Sequence, residues 1–429
     1  MAGAQLSQLA MTTTDVAFVG RLPGNGLASM AVGYAAYGIF LSFGIGLIAA
    51  VNPLVSQAHG AGKRADTSSA LAVGIVCAVL YGVLAQLCLF QVDKLYLLLG
   101  YSPSVTAVAT SFVRALMLGL PAFLSFLAIK NYLDSTSRPK PAFVIAFAAI
   151  ALNGLLDYTL VWGGFGIPAV GVTGAGVATS LVNLAMAFAL YGVVRRELPP
   201  RFLKVDSGAL KEFLSLGLPV AGSLLMEVGL FAICALLMGA LGPDEAAAHQ
   251  IVITCASATF MVPLGISFAG ATRVGQAIGA RELHRVRSAG LAAIAVGVAT
   301  MLVSGALFLT VPQLFVDLLW KPEGESRVKE MAVQLLAIAA FFQIFDGLQV
   351  TTSGALRGMK DVETPMAICF ASYWIVGVSV AVGVGFLTEF RHLGVWFGLL
   401  SGLALAGTIL FLRFWQISGR VAKQDESTP

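Results

Sequence analysis

Four carboxylates in this chain stand where water is scarce: Asp15, Asp157, Glu227 and Asp346. Glu227 interrupts "SLLMEVGLFAICALLMGALG" (Ser223–Gly242), which is otherwise apolar or small. An unpaired charge in such surroundings is costly, so each acid calls for a proton, a cation or a donor beside it. Asp346 lies in "FFQIFDGLQVTTSGALRGMKD" (Phe341–Asp361), where helical spacing puts Gln343, Asp346, Gln349 and Ser353 on one broad face. Asp15 closes a similar series with Gln5, Gln8 and Thr12, and Asn153 precedes Asp157 by one helical turn in "LNGLLDYTLVWG". One buried acid can simply lock two helices through hydrogen bonds. Four acids on four spans, with Arg114 and Lys130 among the few basic residues in the apolar runs, describe cavities that attract cations. A carboxylate of this kind can exchange a proton, a metal ion and an organic cation at one place. Sodium needs several oxygen ligands, and Glu227 and Asp346 could supply some of them. Phe231, Phe260, Met226 and Met261 are candidate apolar walls, with Gln343 and Gln349 as polar ones; at helical spacing such residues also serve as ordinary packing.

Composition says what must position these groups. Of 429 residues, 58% are hydrophobic and 11% charged, against about a quarter charged in a soluble domain. Apolar windows recur at roughly 2–20, 29–52, 68–90, 105–130, 142–162, 174–194, 213–241, 246–271, 288–310, 332–354, 365–387 and 393–417. A window of ~20 residues at ~1.5 Å per residue crosses a ~30 Å hydrocarbon core. Many glycines and little strand-like alternation favour helices over a barrel. The expected fold is an all-α polytopic membrane protein of twelve transmembrane helices. Only fourteen residues precede Asp15, so the first span is expected to be short, or to begin upstream of Met1. No basic n-region or cleavage site marks a removed signal. The five cysteines fall inside the predicted spans, without a CxxC pair, and read as small packing residues.

Lysine and arginine set the orientation. With the N-terminus cytoplasmic, nineteen of them lie in the even-numbered connections and the tail, and six on the other side. That bias places both termini inside, and the net charge of +4 describes loops facing anionic lipid rather than nucleic acid.

The chain repeats itself. "VSQAHGA" (Val55–Ala61) returns as "VGQAIGA" (Val274–Ala280), and the same 219-residue offset superimposes Gly20 on Gly239, Ala28 on Ala247 and Gly46 on Gly265. The long polar connector "RRELPPRFLKVDSGALKEF" falls between the copies. The expected division is a six-helix lobe over 1–194, a cytoplasmic connector over 195–212, a second six-helix lobe over 213–417 and a cytoplasmic tail over 418–429. An even number of spans per copy predicts a pseudo-two-fold axis along the membrane normal, as in secondary transporters.

Enzymatic readings find little support. "GAGKR" (Gly60–Arg64) lacks the first glycine of a phosphate loop, and Arg64 stands where a hydroxyl must reach magnesium. The four histidines have no metal-ligand spacing, and no nucleophile elbow occurs. No cofactor and no nucleic-acid partner is implied, and a monomer is expected.

The combined segments "TTTDVAFVGRLPGNGLASMAVG", "MEVGLFAICALLMGALG", "AAAHQIVI" and "FQIFDGLQVTTSGALRGMKD" resemble the multidrug and toxic compound extrusion (MATE) family, in particular its NorM-type bacterial branch. The resemblance covers nearly the whole chain. It implies two six-helix lobes in a V-shaped antiporter of the bacterial inner membrane, exporting organic cations in exchange for sodium ions or protons. Asp15, Glu227 and Asp346 match the membrane-embedded acids of NorM-type members. Asp157 with Asn153 is a departure, more similar to the cation site in the first lobe of the DinF-type branch. Coupling acids are therefore expected in both lobes. A flippase for lipid-linked oligosaccharides, from the same superfamily, would want a cavity rich in Arg and Lys. A major-facilitator carrier would want an acidic-then-basic second loop, which "HGAGKRAD" is not.

Overall fold

The computed structural model describes residues 2–22, 24, 26–164, 166–199, 206–319 and 326–426, and all regular elements among them are helices. Arg201, Lys204 and Lys321 of the charge count lie outside the described residues. In chain order the first half has α1 (Ala2–Val19), α2 (Gly26–Ile48), α3 (Val51–Gly60), α4 (Arg64–Leu89), α5 (Val92–Leu98), α6 (Pro103–Met117), α7 (Leu120–Ser135), α8 (Lys140–Val161) and α9 (Val172–Val194). The second half has α10 (Ser207–Leu241), α11 (Pro243–Gly279), α12 (Leu283–Thr310), α13 (Pro312–Leu319), α14 (Ser326–Gly358) and α15 (Glu363–Phe370). A π-helical segment (Ala371–Gly377), α16 (Val378–Leu387) and α17 (His392–Glu426) follow.

Ten of the described helices are long and apolar enough to cross a membrane, or eleven when α6 and α7, bent by 41°, count as one span. The 18-residue α1 occupies the first predicted window but is not among these apolar spans; counted with them it gives the twelve helices of the expected fold.

The repeat is visible in the helix ends. α3 ends at Gly60 and α11 at Gly279, while α4 starts at Arg64 and α12 at Leu283, each pair at the sequence offset. The halves differ where the first is broken. α2 and α3 part at Ala49–Ala50, whereas α11 runs through unbroken, and α14 likewise runs through the place where α6 and α7 bend. Pro53 explains the first break: it lacks an N–H and its ring collides with the carbonyl four residues earlier. The exposed carbonyls are taken up by α7, with Asn131 Nδ2 donating to the Ile48 carbonyl at 3.4 Å and Ser135 Oγ to that of Asn52 at 3.3 Å.

Two compact units emerge. One comprises Gly3–His59 and Lys63–Ala221, and the other is built almost wholly from Gly222 onward. In the first unit, α4 packs on α7, and α9 packs against α6, α7 and α8. In the second, α14 is the central helix, packed by α11, α12 and α17. Four cysteines are buried as expected, but Cys88 is exposed on the outer face of α4 and packs no core.

Candidate cation sites

Asp15 is the centre of the first unit's polar cluster, 1% exposed. Its Oδ1 accepts from Asn153 Nδ2 at 2.9 Å, and its Oδ2 accepts from Thr179 Oγ1 at 2.8 Å and Tyr34 Oη at 3.0 Å. Four helices therefore meet on one carboxylate. Small residues permit this: any Cβ on Gly174 would strike the Leu160 carbonyl of α8, and one on Gly176 would lie 2.8 Å from the Phe112 carbonyl of α6. Thr179 follows one turn later on the helix so drawn in. Tyr34 is held from the side by an edge-on contact with Phe112, centroids 5.1 Å apart.

Asp157 is fully buried beside Asp15, and neither of its oxygens receives a hydrogen bond among the described residues. The Asn153 Oδ1 is likewise free. No described lysine or arginine pairs with either acid. Both basic residues noted in the apolar runs are committed elsewhere: Lys130 Nζ binds Asp134 at 3.0 Å, and Arg114 binds Asp93 at 3.3 Å and the Phe90 carbonyl. Two adjacent carboxylates without a base must hold a proton or a cation to be stable at this depth. The oxygens of Asp15, Asp157, Asn153 and Thr179 are hard ligands suited to an alkali cation. No group of three or more His, Cys, Asp or Glu side chains that could hold a metal ion occurs among the described residues.

The second unit has a cavity of about 230 Å³ lined by Glu227, Val228, Phe231, Ile253, Ala256, Ser257, Phe260, Phe342 and Asp346. Glu227 on α10 and Asp346 on α14 thus share one space with Phe231 and Phe260. Met226 packs partly buried against the hydrophobic core of the second unit, and neither it nor Met261 lines the cavity. The polar face of α14 turns inward: Gln343, Asp346 and Gln349 are buried, Gln343 Nε2 donates to Thr259 Oγ1, and Gln349 Nε2 donates to Ser353 Oγ at 3.5 Å. Asp346 Oδ1, Gln343 Oε1 and Gln349 Oε1 accept nothing among the described residues. On α1 the corresponding series is only partly inward, because Thr12 is exposed and bonds back to the Gln8 carbonyl.

Three residues near the acids escaped the sequence reading. Thr179 and Tyr34 lie far from Asp15 in sequence, with no charge or motif to mark them. Tyr373 sits in the π-helical segment, fully buried, with no hydrogen-bond partner for its hydroxyl among the described residues. That segment reaches α10 because Gly229 has no side chain: a Cβ there would lie 2.7 Å from the Trp374 ring. π-turns inside helices often mark functional positions. Arg357, counted from sequence among loop cations, belongs to the last turn of α14, stacks over Phe268 at 5.6 Å and interacts electrostatically with Glu227.

A bundle of apolar spans, a sequence repeat and buried acids are together the features of a membrane transporter. The MatE family profile matches residues 1–159 and 219–382. The chain belongs to this family, the MATE transporters, and within it to the NorM type. It is 36% identical to the probable multidrug resistance protein NorM of Bradyrhizobium diazoefficiens over 97% of this chain and 91% of that protein. It is also 36% identical to the one from Pseudomonas putida, over 99% and 94%. The fold matches the crystal structure of a eukaryotic MATE transporter with a TM-score of 0.87 at 21% identity, covering 99% of this chain and 96% of that one. A MATE in the bent conformation gives 0.89 at 18%, covering 100% and 95%.

Proposed function

We propose that the protein is a multi-pass exporter of the bacterial cytoplasmic membrane that expels organic cations and drugs in exchange for sodium ions or protons. The observation that carries this reading is the Asp15–Asp157 pair, two adjacent buried carboxylates with no base beside them. In this reading Asp15, Asn153, Asp157 and Thr179 hold the coupling ion. Glu227 and Asp346, walled by Phe231, Phe260 and Phe342, receive the positive charge and apolar body of the drug, or a sodium ion in its absence. The halves 1–194 and 213–417 alternate access, with 195–212 and 418–429 on the cytoplasmic side. Names of relatives agree, since several are called probable multidrug resistance proteins. The commitment of Lys130 and Arg114 to Asp134 and Asp93 speaks against a pyrophosphate-carrying lipid as cargo.

Efflux of a fluorescent organic cation from everted vesicles, with sodium and pH gradients imposed separately, tests the reading. One of the two gradients should drive efflux in the wild type, and Asp157→Asn should remove that drive. Efflux indifferent to both gradients would overturn it.

A further inference from the structure

At the end of the second unit where α12 starts and α17 finishes, two acids are engaged by arginines: Glu282 pairs with Arg285 at 2.9 Å, and Asp361 takes a two-pronged contact from Arg413 at 2.6 and 2.9 Å. Arg281, Arg287 and Arg420 pair with no acid among the described residues.

Arg287 is held in a particular way. Its guanidinium carbon lies 3.7 Å from the centroid of the Trp415 ring, close enough for a stacked contact. Phe411 supports the indole from one turn below, with ring centroids 6.2 Å apart. Gly419, a turn above Trp415, lies beside the guanidinium, whose Nη1 is 3.9 Å from where a Cβ would sit. A stacked guanidinium has its face occupied and its N–H edge free, the arrangement suited to binding a phosphate through two parallel hydrogen bonds. Trp415 is 46% exposed, and Leu405, Ile409 and Leu412 carry the same exposed apolar face along α17 at helical spacing. An aromatic ring at the edge of such a face is the pattern of a membrane–water boundary.

We infer that the Arg287–Trp415 stack is a headgroup site for an anionic phospholipid, with the guanidinium edge on the phosphate and the acyl chains along Leu412, Ile409 and Leu405. The charge complementarity selects the ligand: an arginine edge that pairs with no acid among the described residues favours a net-negative headgroup over a zwitterionic one. The apolar face selects a lipid over a free phosphate. The site is separate from both candidate cation sites and stands whether or not the transport reading holds.

The full-length protein, reconstituted in phosphatidylcholine vesicles, tests this through its own fluorescence. Subtracting the emission of Trp415→Phe from that of the wild type isolates the Trp415 signal. Brominated phosphatidylglycerol and brominated phosphatidylcholine are then compared as quenchers at equal mole fraction. Trp415 should report a preference of about fivefold for the anionic lipid, the factor one interfacial arginine contributes. Arg287→Gln should abolish the preference, while Arg114→Gln in the other unit should leave it intact. Equal quenching by the two lipids in the wild type would overturn the inference. So would a preference that survives Arg287→Gln, or one erased by millimolar inorganic phosphate, which would mark a free-anion site. Native mass spectrometry of phosphatidylglycerol adducts on folded Arg287→Gln gives a second readout, with the retained adduct lost.

Discussion

Asp15 and Cys234 occupy the same position of the repeat, 219 residues apart, and both are buried, yet only Asp15 is a carboxylate with three donors around it. The converse holds for Glu227, whose counterpart in α1 is the neutral Gln8. Duplication therefore carried the helices and not the acids, and the two units present different sites. Cys234→Asp tests whether the second unit could host the first unit's site. It would bury a carboxylate with no Asn153, Thr179 or Tyr34 to meet it, a loss of about 3–5 kcal/mol for an uncompensated charge. A fall in thermal unfolding temperature in detergent, with Cys234→Ser close to wild type, is the expected result.

Neutralising the second cavity should separate chemistry from architecture. Glu227→Gln and Asp346→Asn keep size and hydrogen-bonding capacity, so insertion and yield should be normal while coupled efflux is lost. Asp361→Asn should do the reverse, because its contact with Arg413 is structural. Transport should persist and thermal stability should drop. Wild-type efflux by Glu227→Gln at saturating gradients would make that acid a packing residue.

The helices and the acids were legible for different reasons. A span announces itself by twenty apolar residues in a row, and an acid inside it is conspicuous because hydrocarbon tolerates none without purpose. Asn153 and Asp157 could be paired from spacing alone. Thr179, Tyr34 and Tyr373 could not: a hydroxyl inside a span is unremarkable, and only the packing of α2 and α9 around Asp15 brings Tyr34 and Thr179 to it, while Tyr373 is buried by the π-turn after Phe370. Arg357 was misplaced for a related reason, since the pattern of apolar residues ends before the helix does. The break after Ile48 was hidden too, because Pro53 in a long apolar run signals a kink or a stop with equal force.

Single-atom changes address those unseen partners. Thr179→Val removes one donor to Asp15 Oδ2 and should shift the pH dependence of efflux, with Thr179→Ser restoring it. Tyr373→Phe removes only the unpartnered hydroxyl, so the fold should be untouched and any change in the ion dependence of dye binding belongs to that oxygen. An unchanged pH profile in both variants would confine the sites to the carboxylates.

Outside the apolar spans, Glu197 accepts from the two terminal guanidinium nitrogens of Arg138 at 2.8 and 2.7 Å and from Tyr132 Oη at 2.6 Å. Those bonds, from Arg138 above all, hold the Glu197 carboxyl below the usual carboxylate range. A depressed acid contributes stability above its unfolded value of about 4.3 and loses it as pH falls through the folded value. Glu197→Gln should therefore be less stable than wild type at neutral pH by about 0.2–1 kcal/mol, the range for exposed pairs. The gap between their Tm values should close in the acid range. A gap that is constant from pH 7 down to pH 3 would show that charge is not what the contact supplies.

The placement of two acid sites in separate units makes coupling measurable. If the ion sits at Asp15 and Asp157 and the drug at Glu227 and Asp346, each must weaken the other's binding by the same factor, because linkage is reciprocal. A coupling of typical size would lower the affinity for a cationic dye by roughly 5–150-fold between no ion and saturating ion. Asp157→Asn should abolish that dependence while leaving dye affinity without ion near the wild-type value. Asp346→Asn should weaken the dye itself at every ion concentration. Direct competition at one place predicts the opposite pattern: the ion dependence would survive Asp157→Asn and disappear with Asp346→Asn. The two variants in detergent, titrated with dye at several sodium concentrations and pH values, decide between an ion that acts from the first unit and one that displaces the drug from its own cavity.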